Sequence, residues 1–163
     1  ALQRFPGQIF TCSALRYAKE LSIGDAEHRR LGDIREVHAI TPKDWDRYAV
    51  HVIEPILKII GLVGGPWKTH AQSHGDGGAT LLGECSTGIR VNITATGNGV
   101  DAPSMLQVFG TKTYLDLVVT DTFSAFKSAL RDFVDGVRLR DVRSDRAFVR
   151  AVVELIEMGR CQK

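Results

Sequence analysis

The chain has 163 residues, 44% of them hydrophobic, 25% charged and 7% aromatic, a balance that suits one globular domain and excludes disordered, collagenous and lipid-embedded classes. Lys and Arg total 21 against 19 Asp and Glu, for a formal net charge of +2; so small an excess sets up no field to draw in a polyanion, and no nucleic acid is expected as a partner. No run reaches the ~18 to 20 apolar residues of a membrane helix, and the opening ALQRFPGQIF has no cationic stretch followed by an apolar one, so neither a membrane nor a leader is expected.

In chain order, residues 7–17 follow a Pro-Gly turn signal and are apolar and β-branched, which predicts a strand. From 18 to 31 the pattern turns polar and helical, with Glu27 three residues before Arg30 and Gly32 as a stop. Residues 34–40 alternate and predict a strand. After the Thr41-Pro42 turn, Asp44 or Asp46 can cap a helix in which Tyr48, Val52, Ile56 and Ile60 recur every four residues, widened by Ile53, Leu57 and Ile59 and ended by Gly61. Pro55 cannot donate to the carbonyl of His51, which predicts a kink beside His51.

Residues 66–117 break into short runs separated by glycine-rich turns and predict an antiparallel meander. Ile89, Val91, Ile93 and Ala95 fall on one face, and Arg90, Asn92, Thr94 and Thr96 on the other. That second face is only mildly polar, compatible with solvent or with a sheet-to-sheet contact in an oligomer. Two helices follow. Phe123, Phe126, Leu130, Phe133 and Val134 form one stripe up to Gly136; Ser144 can cap a second helix carrying Phe148, Val152, Leu155 and Ile156 up to Gly159. Between them Arg138, Arg140, Arg143 and Arg146 alternate with Asp141 and Asp145, as in a solvated, salt-bridged connection. The fold class predicted is α+β: two layers, an open, mostly antiparallel β-sheet with helices packed on one face, and residues 1–163 as a single domain.

The chemistry-bearing motifs are few. Cys12, Cys85 and Cys161 are odd in number and contain no CxxC, so no disulfide framework or zinc knuckle is expected and a reducing cytoplasm fits; Cys85 reads as a packed side chain. Gly64-Gly65, Gly77-Gly78 and Gly97-Asn98-Gly99 match neither GxGxxG nor a P-loop and read as hairpin turns. His70 and His74 are spaced across what reads as a glycine-rich turn, there is no HExxH, and no metal is expected. The absence of GxSxG argues against a serine-hydrolase elbow. In DRYAVHVIEP, Arg47, His51 and Glu54 share a helix face distinct from the apolar stripe, gathering an imidazole, a carboxylate and a guanidinium that could do general acid-base work. On spacing alone a structurally satisfied histidine is the first reading, with the catalytic one as its alternative.

The order of CSALRYAKEL, LGDIREVHAI, DRYAVHVIEPILKIIG, VFGTKTYLDL, FSAFKSALRDFVDG and VRAVVELIEMGR resembles the C-terminal portion of the Gfo/Idh/MocA family of NAD(P)-dependent oxidoreductases, over nearly the whole chain. The resemblance implies that residues 1–17 are the end of a nucleotide-binding domain and residues 18–163 a substrate-binding and oligomerisation domain. The glycine-rich fingerprint and the catalytic lysine of the family would then lie upstream. It implies NAD or NADP as cofactor of the full-length enzyme and none for this chain alone. A sugar, nucleotide-sugar or polyol would be the substrate, and the open sheet face would mediate homo-oligomerisation. His51 matches the family's proton-transfer histidine; the aspartate usual four residues earlier is replaced by Arg47, with Asp46 one residue further back. Glu54 stands near a position that is often acidic and able to contact substrate, and Arg16 and Tyr17 resemble an Arg-aromatic pair at the domain junction. A free-standing, non-catalytic dimerisation module is the alternative.

Overall fold

The computed structural model describes residues 10–61, 65–140 and 145–160. Its first part departs from the predicted strand: residues 10–13 are irregular and Ala14–Tyr17 and Lys19–Leu21 are short 3-10 turns. Ser13 takes extended backbone angles and accepts the Leu15 N–H through its side chain, an N-cap that starts the turn. Leu15 and Leu21 then bury inward. The predicted helix over 18–31 is confined to α1 (Asp25–Leu31), whose first turn carries Asp25 and Glu27.

Strand β1 (Ile34–Thr41) alternates as expected and buries Val37, Ala39 and Thr41. Asp44 caps α2 (Trp45–Tyr48) by accepting the Arg47 N–H, and after Ala49 the chain continues as α3 (Val50–Ile60), ended by Gly61 in the left-handed region. Helix α3 runs through Pro55, and the interruption between α2 and α3 lies at Ala49 rather than beside His51. Five further strands follow: β2 (Lys68–Gly75), β3 (Gly78–Glu84), β4 (Arg90–Ala95), β5 (Met105–Gly110) and β6 (Tyr114–Val118).

The sheet order is β2-β3-β4-β1-β5-β6. β1 pairs in parallel with β4 and antiparallel with β5, and every other pairing is antiparallel. The predicted meander is therefore split, because β1 lies between β4 and β5. Gly97 and Gly99 sit in the connection between those two unpaired strands, not in a hairpin. Gly77, with φ near 81°, does turn the β2–β3 hairpin, and its carbonyl accepts the Trp45 N–H at 2.8 Å. A Cβ on Gly77 would come within 2.7 Å of Asp44 Cβ, so the hairpin tip seats directly on the start of α2. Gly64 lies outside the described residues.

One face of the sheet supplies Val37, Leu81, Val91, Ile93, Leu106 and Val108 to the core, and α3 covers them with Val52, Ile53, Ile56 and Leu57. Each fully buried aliphatic side chain of this kind contributes roughly 1.5–3 kcal/mol. α5 (Arg146–Gly159) adds Phe148, Val152 and Leu155; its cap is Asp145, and Ser144 lies outside the described residues. Trp45 joins α2 to the end of α5 by donating its indole N–H to the Ile156 carbonyl at 2.9 Å. Cys85, just after β3, is buried against Thr87.

α4 (Thr122–Leu139) runs past Gly136 and is the exception to the layer rule. Ala125 is its only residue classed as buried, while Phe123, Phe126 and Leu130 are 77%, 61% and 63% exposed. Its start is tied down by Glu20, whose carboxylate accepts from Thr120 N, Thr120 Oγ1 and Asp121 N at 2.8–3.0 Å. Glu20's own backbone N–H, together with those bonds, holds its carboxyl down at about 2.

Candidate functional site

α3 places His51 and Glu54 one turn apart, at the edge where the 3-10 turns cross the helix. Ser13 meets both. Its backbone N–H donates to Glu54 Oε2 at 2.8 Å, and its Oγ lies 2.7 Å from His51 Nδ1. The Glu54 carboxylate also faces the Arg16 guanidinium, with Nε 3.8 Å from Oε2. Arg16 in turn donates from Nη2 to the Tyr17 hydroxyl at 3.0 Å and lies over the Tyr17 and Phe148 rings at 5.2 and 5.6 Å. Tyr17 donates onward to Asp132 Oδ2 of α4 at 2.6 Å. On the other side of His51, the Tyr48 ring stands edge-on at 5.5 Å, and Lys43 donates to the Tyr48 hydroxyl at 3.0 Å.

Of the five residues singled out in the sequence, four therefore converge: Arg16, Tyr17, His51 and Glu54. Arg47 does not join their contacts. It precedes the break at Ala49, its side chain is 76% exposed, and its guanidinium pairs with Asp44. Sequence reasoning missed Ser13, Tyr48 and Asp132. Ser13 had a readable signal, since a serine just before a helical turn is a cap, but the segment around it reads as strand.

Burial dominates the electrostatics. It lowers the His51 pKa below the ordinary imidazole value, favouring the neutral ring. It raises Glu54 above the usual carboxylate range, opposed by the Ser13 N–H, Arg16 and Lys58. Tyr17 is pushed up to about 12 by burial and by the Asp132 carboxylate. A neutral imidazole beside a shielded carboxyl is a group able to give or take a proton near neutrality.

No family model and no curated protein matches the sequence. Solved structures do. Over 97% of its length the chain matches 62% of the myo-inositol 2-dehydrogenase of Lactobacillus plantarum, with a TM-score of 0.74 at 12% identity. Over 90% it matches 59% of a UDP-N-acetylglucosamine 3-dehydrogenase from Acidithiobacillus ferrooxidans, at 0.63 and 13%. Over 91% it matches 59% of a D-galactose-1-dehydrogenase from Rhizobium etli, at 0.57 and 16%. The fold is the one that the Gfo/Idh/MocA resemblance implies. The chain spans about three fifths of the length of these dehydrogenases.

The described residues do not fit a dinucleotide. A phosphate cradle needs glycines between a strand and the helix that follows it. Here neither strand-to-helix connection contains a glycine, Pro42, Lys43 and Asp44 lying between β1 and α2 and Val119, Thr120 and Asp121 between β6 and α4, while Gly75, Gly77, Gly97 and Gly99 connect strands. Among the described residues no group of three or more His, Cys, Asp or Glu could hold a metal ion. His70 and His74 lie on β2 itself rather than across a turn, and His74 Nε2 sits 2.6 Å from Thr80 Oγ1. No helix among the described residues is long and apolar enough to cross a membrane.

Proposed function

We propose that the chain is the substrate-side portion of an NAD(P)-dependent oxidoreductase of the Gfo/Idh/MocA family, acting on a hydroxyl or keto group of a sugar, nucleotide-sugar or cyclic polyol. The observation that carries this reading is the pairing of His51 with Glu54 around Ser13 within this fold. NAD or NADP belongs to a part of the enzyme that this chain does not span. What this chain contributes is the proton half of the reaction: His51 exchanges a proton with the substrate oxygen, and Glu54 stands one turn away on α3. Arg16 and Tyr17 brace Glu54 and α4; Arg47, paired with Asp44 apart from this cluster, is proposed as an outer substrate contact. Replacing His51 by Ala in the full-length enzyme should lower turnover by about 10²–10⁴-fold, the usual range for a lost acid-base group. Unchanged turnover on its sugar or polyol would end the assignment.

A second reading, compatible with the first, concerns the sheet face away from the helices. Thr80, Asn92, Thr94, His38 and Gln107 populate it, and Asn92 Oδ1 is buried without a hydrogen-bond partner there. These mainly uncharged polar side chains suit a second copy of the chain covering this face in a homo-oligomer. Light scattering across micromolar concentrations should then report a dimer or higher; a monomer throughout counts against it.

A further inference from the structure

We propose that Ser13 is a positioning residue that holds the His51 imidazole in a single tautomer, with the ring proton on Nε2. The inference deepens the reading of His51 given above and takes its functional meaning from it.

The argument is one of donors and acceptors. A serine hydroxyl has one proton and two lone pairs. Ser13 Oγ receives the Leu15 N–H at 3.1 Å, and a backbone N–H can only donate, so one lone pair is occupied. At 2.7 Å from His51 Nδ1, two arrangements remain. If Nδ1 carried the proton, Oγ would accept twice and its own hydrogen would need another acceptor. Ser13 is only 3% exposed, and among the described residues its Oγ makes no hydrogen bond to an acceptor other than His51 Nδ1. If instead Oγ–H donates to Nδ1, each of these groups is satisfied and the remaining ring proton sits on Nε2. Burial of the ring favours its neutral form, in which Nδ1 has the lone pair that this arrangement uses.

The chemical consequence is directional. A resting His51 with Nε2–H meets a substrate oxygen as a hydrogen-bond donor, which matches an acceptor oxygen such as the carbonyl of a keto-sugar or keto-polyol; full transfer of the Nε2 proton to that oxygen starts from the imidazolium and leaves the neutral ring. The same Ser13 fixes Glu54 through its backbone, so one residue sets the spacing of both site groups.

Long-range ¹H–¹⁵N spectra of the imidazoles in the ¹⁵N-labelled chain, recorded above the ordinary imidazole pKa, test this. The wild type should show His51 as the Nε2–H tautomer alone. Ser13→Ala should give a mixture of tautomers, and Ser13→Thr, which keeps the hydroxyl, should restore the wild-type pattern. A wild-type proton on Nδ1, or a Ser13→Ala spectrum identical to wild type, overturns the proposal; a residue acting only as a cap would change stability and leave the tautomer alone. Should Ser13→Ala not fold, the wild-type and Ser13→Thr spectra decide: Nε2–H in both supports the lock, and Nδ1–H in either removes it. In the full-length enzyme Ser13→Ala should lower kcat with KM little changed, with recovery in Ser13→Thr. If His51→Ala leaves turnover intact while the tautomer result holds, the proposed function fails and the Ser13–His51 assignment stands.

Discussion

Glu54→Ala is expected to destabilise the fold by about 3 kcal/mol, the low end of what breaking a buried ion pair costs. The low end applies because Arg16 retains the Tyr17 hydroxyl and its two aromatic faces, and because the Arg16–Glu54 approach is 3.8 Å rather than a close bidentate contact. The larger part of the loss comes from the Ser13 N–H, which is buried and has Glu54 Oε2 as its acceptor; an orphaned buried donor costs roughly 1–3 kcal/mol. For a domain of this size the melting temperature should fall by roughly 6–12 °C. Glu54→Gln keeps an acceptor oxygen for Ser13 and should lose much less. The pH dependence has a definite sign. Burial raises the folded-state pKa of Glu54 above its unfolded value near 4.5, so its contribution is fully present below that value and is lost as pH rises through the folded pKa. The stability advantage of wild type over Glu54→Gln should therefore shrink as pH climbs from 4.5. An advantage that grows with pH would show that the carboxylate is stabilised in the folded state, contrary to this account.

Gly110→Ala is the second large effect, and it acts through the backbone. A Cβ at Gly110, where β5 ends, would overlap the carbonyl group of Leu31 at the end of α1. That carbonyl accepts the Lys112 N–H at 3.0 Å, and the Asp33 carbonyl accepts the Thr111 N–H at 2.9 Å, so the β5–β6 turn is clamped against the helix end. No rotamer change relieves a clash with main chain. The cost should reach about 2–3 kcal/mol, toward the upper part of the overpacking range, read as a lower urea midpoint with an unchanged m-value. Gly159→Ala makes an instructive contrast. Its Cβ would run into the Trp45 ring, but Gly159 ends α5, and fraying of the last turn can absorb part of the strain. A Gly110→Ala variant as stable as wild type would mean that α1 and the hairpin are not clamped as described.

Local pattern carried much of this fold. The four-residue recurrence through Tyr48, Val52, Ile56 and Ile60 located α3, and Gly61 ends it as read. The alternation of Val91, Ile93 and Ala95 against Asn92 and Thr94 placed β4 and its buried face correctly. What local pattern could not carry was pairing at a distance. Nothing near residues 34–41 indicates that β1 will insert between β4 and β5, because such a contact is set by the global packing of the sheet against α3. The segment around Ser13 was misread for a related reason. Its Ile, Phe and Thr suit a strand, yet an N-cap and two inward leucines coil it into 3-10 turns over α3. At the site, helical spacing brought His51 and Glu54 together, whereas Arg47 parted from them at Ala49. The partners on other elements, Ser13 and Asp132, are invisible to spacing along one helix.

The oily row on α4 makes the molecule's colloidal behaviour depend on its surroundings. Phe123, Phe126, Leu130 and Val137 face solvent on an otherwise charged helix, so little of the folding free energy resides there, while much of the tendency to adsorb, cluster or take up a hydrophobic dye does. Salt type, detergent and concentration should accordingly affect the behaviour of the isolated chain.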